Sequence, residues 1–181
     1  MMKRIILIIL FTVSLITAKA QFVNAELQVG GLTCSMCSKA VDKALQTIPF
    51  IDKVEVDLEK TLYKLEFKKG FNVNPDLIAK KVKDAGFTVT RLVMWFNFQN
   101  IDIPENGHWT WGNTNFMMMS PVKKNLNGVL PVTFVDFAFI PKKEFVQRLA
   151  NTKYGCYKSG KSETCCPTEI SAKTRIFHVD L

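Results

Sequence analysis

Hydrophobic and polar positions alternate over residues 25–29, where Ala25, Leu27 and Val29 interleave with Glu26 and Gln28, the pattern of a strand with one buried face. From residue 38 the period changes. Ala40, Val41, Ala44, Leu45 and Ile48 fall on one side of a helix that Pro49 ends. Two further strands are predicted at 54–58 and 63–67, joined by a turn at Glu59-Lys60. Asn74-Pro75 supplies a cap and a first-turn proline. Leu77, Ile78, Val82 and Ala85 supply a second apolar stripe, which Gly86 closes. Residues 87–93 give a last strand. The order is β-α-β-β-α-β within about 70 residues, the ferredoxin-like split βαβ arrangement.

Beyond Trp95 the texture changes to short strands, turns and aromatics. Residues 95–98 extend the last strand or begin a new one. A β-hairpin is expected at 108–119 around Gly112-Asn113, and a turn at 125–128. A strand lies within 129–140, and Pro141 opens a short helix over 142–149. A cysteine-bearing loop spans 153–167, and a strand over 175–181 follows it. The fold class expected is α+β. A ferredoxin-like domain occupies residues 21–94, and a small, mostly antiparallel β domain occupies 95–181.

The first twenty residues stand apart from both. Lys3 and Arg4 precede an apolar run over residues 5–16, and Ala18-Lys19-Ala20 has the small-x-small form of a cleavage site. The run is shorter than the roughly 20 residues a membrane-spanning helix needs. Residues 1–20 therefore read as a signal peptide, and the mature chain as periplasmic or otherwise extracytoplasmic. The 181-residue chain carries a formal charge of +8; loss of Lys3, Arg4 and Lys19 leaves 21 Lys+Arg against 16 Asp+Glu, or +5. No block of like charge stands out, so a nucleic-acid partner is not expected. No apolar stretch after residue 20 is long enough to cross a bilayer.

In an oxidising compartment the five cysteines, Cys34, Cys37, Cys156, Cys165 and Cys166, are free to form disulfides or to bind metal. Cys34 and Cys37 form a C-x-x-C between the first strand and the first helix. Unpaired helix N–H groups there lower thiol pKa values, and the thiolate is the metal-binding form. Two thiolates converging around a loop suit Cu(I) or Hg(II), whereas Zn(II) usually takes four ligands.

The run Gly31-Leu32-Thr33-Cys34-Ser35-Met36-Cys37 and the later Ala85-Gly86-Phe87 resemble the heavy-metal-associated domain of copper chaperones, metal-pumping ATPases and the periplasmic mercury-binding protein. The resemblance covers residues 25 to about 94, and Leu32 replaces the family's usual methionine. It implies that Cys34 and Cys37 are the metal ligands, that Thr33 shapes the loop, and that Phe87 lies beside it. Cu(I) is the first expectation for the metal, with Hg(II) and Zn(II) as alternatives.

Two further groups are second-tier candidates. With a two-residue turn at Gly112-Asn113, His108 pairs opposite Met117 on the face that Met119 shares. Thioether and imidazole ligands of this kind suit Cu(I), although methionines on a strand are commonly core filler. Cys156, Cys165 and Cys166 are read first as one disulfide from Cys156 to either neighbour, and second as a thiolate site. His178 is read as packing or exposed. No nucleophile–base pair, paired carboxylates or phosphate loop points to catalysis. The expectation is a non-enzymatic metallochaperone or detoxification carrier, with a metal-transporting ATPase or efflux component as partner. A thiol-disulfide redox protein is the alternative.

Overall fold

The computed structural model describes residues 22–120 and 125–181. The expected signal peptide at 1–20 lies outside the described residues. The first six elements are β1 (Phe22–Gly30), α1 (Ser35–Gln46), β2 (Ile51–Asp57), β3 (Leu62–Phe67), α2 (Pro75–Asp84) and β4 (Thr88–Asp102). Their strands lie in the order β2-β3-β1-β4, all antiparallel. From Ala25 onward every second residue of β1 (Ala25, Leu27, Val29) is buried. These meet Val41 and Leu45 of α1 and Ile78 and Val82 of α2, so both helices lie on one face of the sheet. Asn74 caps α2 by accepting from Asp76 N–H at 3.0 Å. Residues 22–102 thus have the predicted ferredoxin-like arrangement.

The remaining elements are β5 (His108–Trp111), β6 (Thr114–Met118), β7 (Asn125–Phe134), α3 (Lys142–Asn151), α4 (Gly155–Ser159) and β8 (Ile176–Asp180). Their strands join the same sheet, which runs β2-β3-β1-β4-β7-β8-β6-β5. The link is β4, a 15-residue strand that continues past residue 94. It pairs with β1 from Thr88 to Phe96 and with β7 from Leu92 to Asp102. β6 and β8 are parallel, and the other neighbours are antiparallel.

The turn expected at 125–128 is instead the start of β7. Gly128, at φ +85°, pairs with Phe98 beside a bulge in β4 where Asn100 has φ +51°. The Asn/Gly composition there marks a kink between paired strands rather than a chain reversal.

The sheet curls. β1 and β6 are separated by three strands, yet Phe22 and Phe116 rings lie 6.1 Å apart. Inside the curl Trp109 stacks on Phe116 at 4.3 Å, and Phe96 touches Phe98, Trp109 and Trp111. Contacts of this type add about 0.5–1.5 kcal/mol per pair beyond area burial. The opposite face of the β5–β6 hairpin carries His108 and Met117 into a separate small core with Cys156 and Ile176.

Candidate metal centre

The C-x-x-C pair is positioned by the end of β1 and the start of α1. A Cβ on Gly30 would stand 2.8 Å from Thr90 Cγ2, so the backbone passes tightly beside β4. Gly31 turns the chain at φ +85°, where an L side chain is strained. Its Cβ position lies 3.9 Å from Phe87 Cδ1, which places Phe87 beside the loop.

Helix α1 begins three residues earlier than its apolar stripe predicts. Cys34 is its N-cap, in extended conformation, and its sulfur accepts from Cys37 N–H at 3.2 Å. The cysteine replaces the usual oxygen cap. Cys37 sits in the first turn, so the two thiols are separated by one turn at the positive end of a helix that carries no acidic residue there. Tyr63 Oη donates to Ser38 O at 3.1 Å, which fastens this turn to β3 from beneath.

Cys34 is exposed and Cys37 half-buried. A hydrogen bond from the Cys34 side chain holds the Cys37 thiol below its ordinary pKa; burial opposes this, and bonds from Thr33 and the Cys34 backbone add to the lowering. Thr33 thus acts on the Cys37 thiol itself. Leu32 packs partly into the core, whereas Met36 is 72% exposed. Two sulfurs at the surface, one with a lowered pKa, can take a soft d10 cation and leave room for an incoming ligand.

The second-tier residues fall together. His108 pairs with Met117 across the hairpin, in the register a two-residue turn requires, and Met117 pairs in turn with His178 on β8. The Cys156 thiol, on α4, donates to Met117 Sδ at 3.7 Å. Cys165 and Cys166 sulfurs lie 3.8 Å apart, and Cys156 N–H donates to Cys165 Sγ at 3.4 Å. Ligand atoms of His108, Cys156 and Cys166 all lie within 4.8 Å of one another. Met119 stands at the margin of this cluster.

All five cysteines are free, so the disulfide expected from Cys156 is not formed. Cys156 is fully buried and its sulfur turns toward Met117 as well as toward its two neighbours. Burial first, and then the adjacent sulfurs, push its thiol far above the ordinary range. Burial opposes ionisation of Cys165 too, but hydrogen bonds from Cys156 outweigh it and the pKa falls. Burial lowers the His108 pKa.

His178 is neither exposed nor simple filler. It is fully buried, its backbone N–H donates to Asp136 Oδ2 at 2.9 Å, and its Nδ1 lies 2.8 Å from Asp136 Oδ1. The sequence signal for this pair was Asp136 itself, a carboxylate inside the apolar run Phe134-Val135-Asp136-Phe137.

The two sites differ in thiol chemistry, and alkylation reads the difference. Iodoacetamide at neutral pH is expected to modify Cys37 at least about tenfold faster than Cys156 in the native protein, because rate follows thiolate fraction and exposure. Equal labelling of the two by peptide mass mapping would contradict the burial assigned to Cys156.

Residues 26–88 match the heavy-metal-associated domain, about a third of the chain. Over 62 residues the chain is 38% identical to the copper-transporting ATPase HMA4 of Oryza sativa subsp. japonica; the match covers 34% of this chain and only 6% of that one. Over 67 residues it is 27% identical to the copper chaperone CopZ of Staphylococcus haemolyticus (strain JCSC1435), covering 37% of this chain and 97% of the chaperone. Among solved structures, oxidized MerP from Ralstonia metallidurans CH34 is similar at 28% identity and TM-score 0.34, covering 38% of this chain and 94% of its own. A CopZ metallochaperone is similar at 26% identity and TM-score 0.33, covering 37% and 98%.

Proposed function

On the premise that residues 26–88 are a heavy-metal-associated domain, we propose that the chain is an exported carrier of Cu(I), held by Cys34 and Cys37 and passed on by ligand exchange. The observation that carries this reading is the placement of both thiols within one turn at an exposed helix N-terminus, with Cys37 lowered in pKa. Two thiolates satisfy Cu(I), while Zn(II) would need further ligands that this loop does not bring. Hg(II) would suit the same pair, and the similarity to copper chaperones and copper-transporting ATPase domains favours copper.

Transfer needs no covalent chemistry on a substrate. An acceptor thiolate adds to the two-coordinate ion, one original sulfur leaves, and the ion moves without change of oxidation state. The acceptor is a metal-transporting ATPase or another efflux component with its own exposed thiols. Export rests on the cleavable-leader pattern of residues 1–20. Among the described residues no helix is long and apolar enough to cross a membrane.

The test is anaerobic loading of the reduced mature chain with Cu(I), followed by mixing with an apo C-x-x-C acceptor domain. The chain with Cys34→Ser and Cys37→Ser is expected to bind one copper fewer than the unaltered chain, and the missing ion is the one the acceptor collects. An unchanged copper count in that variant would overturn the assignment. Catalytic turnover of a disulfide substrate by Cys34 and Cys37 would replace it with redox chemistry.

A further inference from the structure

We propose that His108, Met117, Cys156 and Cys166, with Cys165 at the rim, form a second, buried Cu(I) site between the β5–β6 hairpin and the loop around α4. It is separate from the pair at Cys34 and Cys37 and does not depend on it.

The first support is spacing. Four donors about 2.3 Å from a common metal stand about 3.8 Å from one another in a tetrahedral arrangement. One donor pair, Cys156 and Met117, already has that separation at 3.7 Å, and the rim sulfur of Cys165 lies 3.8 Å from Cys166 Sγ. One ring nitrogen of His108 joins Cys156 and Cys166 in a set whose members lie within 4.8 Å.

The second support is an unexplained polar atom. His108 is 4% exposed, and its Nε2 is buried with no hydrogen-bond partner. Its Nδ1 lies 2.9 Å from Asn106 O, and a carbonyl only accepts, so the proton is on Nδ1 and the lone pair is on Nε2. The backbone N–H of His108 donates to Asn106 Oδ1 at 3.1 Å, which fixes the residue further. An imidazole locked in this tautomer by a carbonyl is the form in which histidine binds metals. A buried acceptor left without a donor costs about 1–3 kcal/mol, and a metal ion would remove that cost.

Donor softness selects the ion. A thioether and adjacent thiols favour Cu(I), whereas Ca(II) and Mg(II) call for oxygen. Among the described residues the one buried carboxylate, Asp136, is engaged by His178 and Arg175. Cys156 and Met117 are fully buried while Cys165 and Cys166 are partly exposed. An ion therefore reaches the site through the vicinal pair, displacing thiol protons to solvent, and comes to rest against Met117 and His108.

The experiment starts from the full mature chain with Cys34→Ser and Cys37→Ser, so that the exposed pair cannot contribute. Loaded anaerobically and desalted, it is expected to retain one Cu(I), with both sulfur and nitrogen neighbours in its copper X-ray absorption spectrum. Adding Cys166→Ser or Met117→Leu should remove that copper or weaken its retention at least tenfold. Far-UV circular dichroism checks that these variants remain folded, which is expected because Cys166 is partly exposed and Met-to-Leu conserves volume. No retained copper in the starting variant would overturn the proposal. So would copper that survives Cys166→Ser and Met117→Leu together, or a site that takes Zn(II) and refuses Cu(I). The exposed pair is judged separately, by the one-equivalent loss on Cys34→Ser with Cys37→Ser.

Discussion

Cys37→Ser alone is expected to weaken Cu(I) capture at the exposed loop by more than a hundredfold and to halve the pH dependence of that capture. Changes to outer-shell partners cost roughly 10–100-fold in metal affinity, and removing a ligand costs more. The pH behaviour follows from proton release, since each thiol must deprotonate to bind. Well below the pKa values of both thiols, log affinity should rise by about two per pH unit with both cysteines and by about one with a single cysteine. The lowered Cys37 pKa shifts the change in slope of the unaltered chain toward acid pH, so binding weakens less on mild acidification than two ordinary thiols would allow. The measurement is competition against a chromogenic Cu(I) chelator across pH, on a Cys166→Ser background that leaves the loop as reporter. Cys34→Ser should be similarly weak. Cys34→Ala adds a second loss, because it removes the side chain whose hydrogen bond does most to hold the Cys37 thiol down. Identical slopes with one and two cysteines would mean that only one sulfur binds.

How far the chain could be read in advance depended on whether the information was local. Strand β1 was legible because alternate residues are buried on one side and wet on the other. Helix α2 was legible because cap, proline, stripe and closing glycine all agree. The hairpin register followed from a two-residue turn, and His108 does face Met117. The start of α1 was misplaced because its first turn, Ser35-Met36-Cys37, has no apolar stripe and its cap is a sulfur. The full length of β4 could not be read: an extension over 95–98 was one of two readings, and the stretch to Asp102 was not foreseen. Its second half pairs with β7, about thirty residues away in sequence, and no local pattern encodes that partner. The C-x-x-C pair needed only neighbours along the chain. The His108–Met117–Cys156–Cys166 cluster joins a hairpin to a loop some forty residues later, so its members could be suspected in two groups but not assembled.

Asp136→Ala is expected to destabilise the protein by about 3–5 kcal/mol, the cost of removing one partner from a buried ion pair. Asp136 is 4% exposed and stands just after β7. One carboxylate oxygen receives the His178 backbone N–H at 2.9 Å. The other lies 2.8 Å from His178 Nδ1 and 3.2 Å from Arg175 Nη1. Alanine would strand two buried donors on His178 and leave Arg175 with fewer acceptors. Arg175 also reaches both oxygens of Asp76 in the first turn of α2, at 2.8 and 3.0 Å, and lies 4.2 Å over the Phe177 ring. The Asp136–Arg175–Asp76 chain is therefore a polar strut from the last strand to a helix of the heavy-metal-associated domain. Together with the shared strand β4, it ties the domain that carries the Cys34–Cys37 loop to the rest of the sheet. Asp136→Asn keeps the shape and one acceptor, so its loss should be smaller, about 1–3 kcal/mol. Chemical denaturation at neutral pH checks both values. Tryptophan fluorescence, which reports Trp95, Trp109 and Trp111, should remain coincident with far-UV circular dichroism in the unaltered chain because one sheet unfolds as one unit. A loss below about 1 kcal/mol for Asp136→Ala would show that water replaces the carboxylate at little cost and that the strut contributes little. Separated transitions in the unaltered chain would mean that β4 does not couple the two halves, and the Cys34–Cys37 loop would then fold independently of the buried His108–Cys166 cluster.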